Sequence, residues 1–219
     1  FLTFKIFDYY WQDLEVLQKN FLHKSNIYLS KNNLMARIFI AIDFDDEEIK
    51  KNIQSVQKEL DKTNNALKLV NPEIIHLTLA FLGEQTDERV KEVEKILEEI
   101  DFSPMKLRLQ GIGVFPNMNY IRVIYTEVMG DVEILEGIHK SLKAKLKSKS
   151  FKLDSKPFKP HVTIARVKNV RNKENLRLTL NKFQSINIGA MEITSIKLKQ
   201  SFLRPQGPEY TTLYEKKAI

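Results

Sequence analysis

His76-Leu77-Thr78-Leu79 and His161-Val162-Thr163-Ile164 each place a histidine and a threonine two positions apart inside an aliphatic run. Side chains of an extended strand alternate between faces, so each pair brings an imidazole and a hydroxyl to the same face. Two copies supply two proton-transfer groups and two hydroxyl donors. An imidazole titrates near pH 6.5, so close to neutrality one can act as base while the other acts as acid. That set suffices for attack of water on a phosphate without a metal. One imidazole activates the water, the other protonates the departing oxygen, and the hydroxyls of Thr78 and Thr163 meet the charge that develops on the non-bridging phosphate oxygens. The carboxylates near the motifs, Glu73 and Glu84, lack ligand spacing with the histidines, so no metal or other cofactor is expected. His23 and His139 stand outside the pattern and are expected to be bystanders.

The neighbourhood of each motif repeats as well. Arg37-Ile38-Phe39-Ile40-Ala41-Ile42 alternates like a strand, and His76 follows Arg37 by 39 positions. Arg122-Val123-Ile124-Tyr125 is its counterpart, and His161 follows Arg122 by the same 39. Between strand and motif the apolar residues fall at helical spacing: Ile49, Ile53, Val56 and Leu60 in the first half, Leu135, Ile138, Leu142 and Leu146 in the second. A second helix follows each motif, at Val90, Val93, Ile96, Leu97 and Ile100, and at Leu176, Leu180 and Phe183. A further strand closes each unit, around Leu107-Arg108-Leu109 and from Ile193 to Leu198. The expectation is a duplication: an α+β fold of two pseudo-symmetric β-α-β-α-β lobes, with mainly antiparallel sheets facing a central cleft and helices outside.

Composition sets the bounds. With 219 residues and 42% hydrophobic content the chain has enough material for a sizeable core. It has no cysteine, which excludes disulfides and thiolate chemistry and fits a reducing cytoplasm. No stretch approaches the roughly 18 apolar residues of a membrane span, so no membrane partner is expected. A net charge of +7 favours an anionic partner, RNA first. Lys140, Lys143, Lys145, Lys147, Lys149, Lys152 and Lys156 form the densest positive run, suited to tracking phosphates or to an ordinary solvated face. Residues 1–34 are crowded with aromatics but carry neither motif. They are expected to be a leader or extension, or the product of a start placed upstream of Met35, with residues 35–219 forming the bilobal domain.

These motifs give the chain a family resemblance. It resembles the two-histidine phosphoesterase superfamily, and most closely its RNA 2′,3′-cyclic phosphodiesterase branch, once called 2′–5′ RNA ligase. The resemblance runs from Met35 to about Tyr214. It rests on Arg37-Ile38-Phe39-Ile40-Ala41, His76-Leu77-Thr78-Leu79-Ala80-Phe81-Leu82-Gly83, Gly111-Ile112-Gly113-Val114-Phe115-Pro116, Phe158-Lys159-Pro160-His161-Val162-Thr163-Ile164-Ala165-Arg166 and Gly207-Pro208-Glu209-Tyr210. It implies that a terminal 2′,3′-cyclic phosphate on RNA, tRNA fragments included, is opened to a 2′-phosphate. It also implies His76 as proton donor and His161 as proton acceptor; from the residues alone the two motifs are equivalent. A monomer is expected. Two other functions fit the same motifs: a reversible 2′–5′ ligase or phosphodiesterase acting on tRNA halves or 2′–5′ oligonucleotides, and a non-catalytic nucleotide-binding module.

Four further residues are candidates for substrate contact. Strand parity sets Phe39 opposite Ile38, Ile40 and Ile42, free either to stack on a base or to pack in the core. Arg37 and Arg122 are symmetric cations able to approach phosphate. Arg166 belongs to the second motif, yet strict alternation turns it away from His161 and Thr163. Only a bulge or a strand end brings it back.

Overall fold

The computed structural model describes residues 35–205 and 207–219. The expectations placed on residues 1–34, and His23 with them, lie outside the described residues.

Helices form where the sequence supplies both a cap and an apolar stripe. Helix α1 (Glu47–Asp61) starts at Asp46, whose carboxylate accepts from the Ile49 amide, and it buries Ile49, Ile53, Val56 and Leu60. Helix α2 (Asp87–Glu98) is capped by Thr86 and α4 (Lys173–Lys182) by Asn172. Helix α3 (Val132–Ser148) follows Asp131, whose carboxylate accepts instead from the Lys106 amide at the start of a neighbouring strand. A single 3-10 turn, Pro72–Ile74, precedes the first histidine.

Nine strands make one sheet among the described residues: β1 (Ala36–Asp43), β2 (Ala66–Leu69), β3 (His76–Gln85), β4 (Met105–Asn117), β5 (Tyr120–Gly130), β6 (His161–Asn169), β7 (Asn187–Ile193), β8 (Ser195–Arg204) and β9 (Gly207–Lys217). The order is β7-β4-β5-β6-β3-β1-β8-β9, with β2 alongside β6, and every pairing is antiparallel. The two histidine strands meet at the centre through Leu77 and Val162. On either side the order mirrors itself, β3-β1-β8-β9 against β6-β5-β4-β7, which is the two-fold relation expected of a duplication.

The lobes differ from the expectation in how they are closed. The repeats do not close on themselves. Strand β4, the closing strand of the first repeat, pairs with β5 of the second, and β8 of the second repeat pairs with β1 of the first. The helices cross in the same way: α1 packs with α4 against β6 and β7, while α2 packs with α3 and against β1 and β9. The closing run expected from Ile193 to Leu198 is in fact two strands broken at Thr194. No helix among the described residues is long and apolar enough to cross a membrane.

Candidate active site

The register Leu77↔Val162 fixes the centre of the groove. In an antiparallel pair it sets His76 across from Thr163 and Thr78 across from His161. Leu77, Val162, Leu79 and Ile164 point into the core, leaving the two histidines and two threonines half-exposed on the opposite face. The four residues therefore form a nearly symmetric constellation about one point.

Each imidazole is held in the same way. His76 Nδ1 lies 2.8 Å from the Ile74 carbonyl oxygen, and His161 Nδ1 lies 2.7 Å from that of Lys159. A carbonyl only accepts, so Nδ1 carries the hydrogen in both rings and Nε2 is left with its lone pair for the groove. Aromatic walls fix the ring planes. Phe39 and Tyr210 pack at 5.0 and 5.2 Å centroid distance from His76, and Phe115 and Tyr125 at 4.9 and 5.3 Å from His161. Tyr125 stacks on Phe115 and lies flat across Gly113, where a Cβ would fall 2.5 Å from its ring. Glycine at 113 is what lets that wall stand.

Charges beside the rings are also paired across strands. Asp43 lies opposite His76 and Glu127 opposite His161. Asp43 accepts from Lys199 at 2.6 Å and Lys197 at 3.1 Å. Burial pushes the Asp43 carboxyl up, but the two ammonium groups outweigh it and hold the acid below its ordinary range. Lys159 donates to the Tyr125 hydroxyl at 2.7 Å and lies 3.8 Å from Glu127. Burial lowers the pKa of both histidines; the Ile74 carbonyl and Asp43 act against it at His76, the Lys159 carbonyl at His161. The Lys199 ammonium at His76, and the Lys159 ammonium and Arg166 at His161, add to the lowering.

Both histidine strands carry an extra residue just after the threonine. Along β1, Ile40 and Ala41 face Ala80 and Thr78, so Leu79 is extra; along β5, Ile124 and Tyr125 face Ala165 and Thr163, so Ile164 is extra. A bulge reverses the alternation beyond it. Ile164 and Ala165 are both buried, and Arg166 returns to the exposed groove face. Phe81, the counterpart of Arg166, does the same and is 48% exposed, with the Arg37 guanidinium 5.0 Å above its ring. The carbonyl of each extra residue is held by a helix of the other repeat. Gln57 on α1 donates to the Ile164 oxygen at 2.9 Å, and His139 Nδ1 on α3 lies 3.0 Å from the Leu79 oxygen.

Several sequence expectations change accordingly. Phe39 lies on the groove side as parity required, but it is 4% exposed, so it backs His76 and offers no face to a base. His139 is not a bystander: it holds the β3 bulge and stacks on Phe158 at 3.9 Å. Arg122 sits over Tyr120 at the β4–β5 tip, and its guanidinium donates twice to the Tyr120 hydroxyl. The lysine run of α3 does not form one face. Lys145 turns to Glu99 at the end of α2 and Lys149 to Glu92 of α2, while Lys143 and Lys156 line a cavity of about 210 Å³ with Phe81, His139 and Phe158. That cavity opens onto Thr78 and His161. Tyr125, Asp43, Lys199 and Lys159 were not singled out from sequence, since their value depends on which strand lies alongside. Tyr125, Lys159 and Tyr210 were visible only inside longer runs, and Asp43 and Lys199 in none.

Residues 38–215 match the model of the AKAP7 2′5′ RNA ligase-like domain. The chain belongs to that family. Among its relatives is the RNA 2′,3′-cyclic phosphodiesterase of Archaeoglobus fulgidus, 38% identical over 81% of this chain and 97% of the relative. The protein of the same name from Methanocaldococcus jannaschii is 37% identical over 82% of this chain and 99% of its own. A crystal structure of TT0787 of Thermus thermophilus superposes with a TM-score of 0.69 at 27% identity, covering 83% of this chain and 97% of that one. Escherichia coli LigT complexed with 3′-AMP shares the fold, with a TM-score of 0.68 at 23% identity over 84% of this chain and 98% of that one.

Proposed function

We propose that the chain hydrolyses terminal 2′,3′-cyclic phosphates of RNA to 2′-phosphates by acid–base catalysis that uses no metal. The observation that carries this reading is the pair of imidazoles on one face of strands joined at Leu77 and Val162, each with Nδ1 held by a backbone carbonyl so that Nε2 is free for proton transfer. The family membership and the names of the relatives support it.

Water attacks phosphorus in line with the departing 3′ oxygen. His161 Nε2 takes the water proton as the new P–O bond forms. The P–O3′ bond breaks, and protonated His76 delivers its Nε2 proton to the 3′ oxygen. Thr78 and Thr163 donate hydrogen bonds to the non-bridging oxygens, where charge accumulates. Arg166 faces the same oxygens from the bulge. Phe81, and Phe158 stacked on His139, present flat surfaces beside the centre for the terminal base. A chain without cysteine can work in the reducing cytoplasm, as a monomer on RNA fragments such as those of tRNA.

The test is an RNA oligomer ending in a 2′,3′-cyclic phosphate, incubated in excess chelator and followed by phosphorus NMR. The expected product is one regioisomer, the 2′-phosphate with a free 3′-hydroxyl. A 3′-phosphate would reverse the in-line axis, and an even mixture would mean that no axis is fixed. Activity that disappears in chelator and returns with a divalent ion would replace the two-imidazole mechanism with a metal-assisted one.

A further inference from the structure

A second cleft, which shares only Arg166 with the hydrolytic step, adjoins the site. It has a volume of about 620 Å³ and lies between the β4–β5 tip, the end of β6 and the start of α4. Four cations line it, Arg122, Arg166, Lys168 and Lys173, and no carboxylate does. Among the described residues none of the four takes part in an ion pair. That contrasts with α3, where the lysines facing α2 are neutralised by Glu92 and Glu99. Four like charges converging on a concave surface repel one another unless an anion lies between them.

The cleft also has an aromatic rim. Tyr120 is 56% exposed, the highest of any aromatic side chain among the described residues. Arg122 steadies it through Nε and Nη2 at 2.9 and 2.6 Å, which leaves the other guanidinium N–H groups to face the cleft. A stacking surface beside a cationic groove is how single-stranded nucleic acid is held without reading its sequence. Arg166 links the two regions. It lines the cleft and is close enough to His161 and Tyr210 for its charge to favour their deprotonated forms.

We propose that this cleft is a second phosphate subsite, holding the backbone phosphates on the 5′ side of the terminal cyclic phosphate of a single-stranded RNA. This rests on the reading of the groove as a cyclic-phosphate hydrolase site, and it adds a length requirement. The hydrolase acts on polymer ends in preference to mononucleotides because only a polymer reaches the cleft.

The experiment compares uridine 2′,3′-cyclic phosphate with an octamer ending in the same group, across a series of salt concentrations. The proteins are the full chain and its Lys168→Gln/Lys173→Gln variant. For the parent chain kcat/KM is higher on the octamer and falls with salt. In the variant it drops about tenfold on the octamer and stays unchanged on the mononucleotide. The salt slope for the octamer shrinks by about 1.4, the value for two phosphate contacts on a single strand. Equal loss on both substrates, or no loss on either, overturns the subsite. A fluorescently labelled octamer with a plain 3′-hydroxyl, titrated by anisotropy, makes the test of the cleft independent of catalysis. Weaker, less salt-dependent binding by the variant supports the cleft even if neither cyclic phosphate is hydrolysed, and unchanged binding rejects it. Inactivity of the parent chain on both cyclic phosphates would count against the hydrolase reading alone.

Discussion

The proposed mechanism needs His76 and His161 in different protonation states, one as acid and the other as base. Replacing either by alanine removes the acid or the base, and such a loss costs about 10²–10⁴-fold in rate. Thr78→Val or Thr163→Val removes one neutral hydrogen bond and should cost less; steady-state rates on a cyclic-phosphate oligomer give the comparison. Parental turnover in His161→Ala would sink the mechanism. The pH dependence follows from the directions of the shifts. Burial lowers both histidines from the ordinary 6.5, so the base becomes neutral, and the acid loses its proton, at lower pH than in a free imidazole. The kcat/KM profile, which reports the free enzyme, should therefore be a bell with its optimum below pH 6.5. A bound phosphate anion stabilises imidazolium and moves the kcat profile towards higher pH. If kcat/KM instead stays level up to pH 8, His76 is not the acid.

The two bulges matter most among the elements, because they turn Arg166 and Phe81 into the groove while the motifs keep their strand parity. Their carbonyls are tied across the repeats by Gln57 and His139. Gln57 is buried and also donates to the Val70 oxygen at 2.7 Å. Gln57→Leu takes this donor from both oxygens, while the Ile164 oxygen keeps the Val70 amide at 2.9 Å, and should cost about 1–3 kcal/mol of stability by chemical denaturation, chiefly at the Val70 oxygen. The activity loss should exceed that of a destabilised core variant of equal ΔG, since Arg166 loses its fixed direction. Equal activity at equal stability would show that the bulge does not position the site. Sequence alone carried this region part of the way. Periodicity revealed the histidine strands, all four helices and the 39-residue spacing, because each is a local pattern. The requirement that Arg166 needed a bulge was also legible, since strand parity demanded it. What placed the bulge was not legible: Gln57 and Ile164 are 107 positions apart and meet only through tertiary packing. Phe39 shows the opposite limit. Parity gave its face correctly, but whether that face was open or covered depended on Tyr210 from the last strand.

The duplication leaves a molecule whose halves are not independent. Strand β4 of the first repeat sits beside β5 of the second, and β8 of the second sits beside β1 of the first. Cut between the repeats, each piece loses a central neighbour and exposes a long unpaired strand edge. The apolar core crosses the boundary as well, since Ile38, Leu77, Leu107, Ile124, Val162 and Leu198 all belong to one buried cluster. A protein of this length built from two self-contained lobes would be free to unfold in two steps. Exchange of strands forbids it here, because neither half keeps its sheet once the other opens. The region from 36 to 219 should melt in a single calorimetric transition with matching van't Hoff and calorimetric enthalpies. Amides of β1 and β5, one from each repeat, should show the same opening free energy by hydrogen exchange. Fragments 36–118 and 119–219, which part β4 from β5 and β8 from β1, should each lack cooperative melting when isolated. Two resolved transitions, or a cooperative fold in either fragment alone, would show that the repeats retain separate stability despite the exchanged strands.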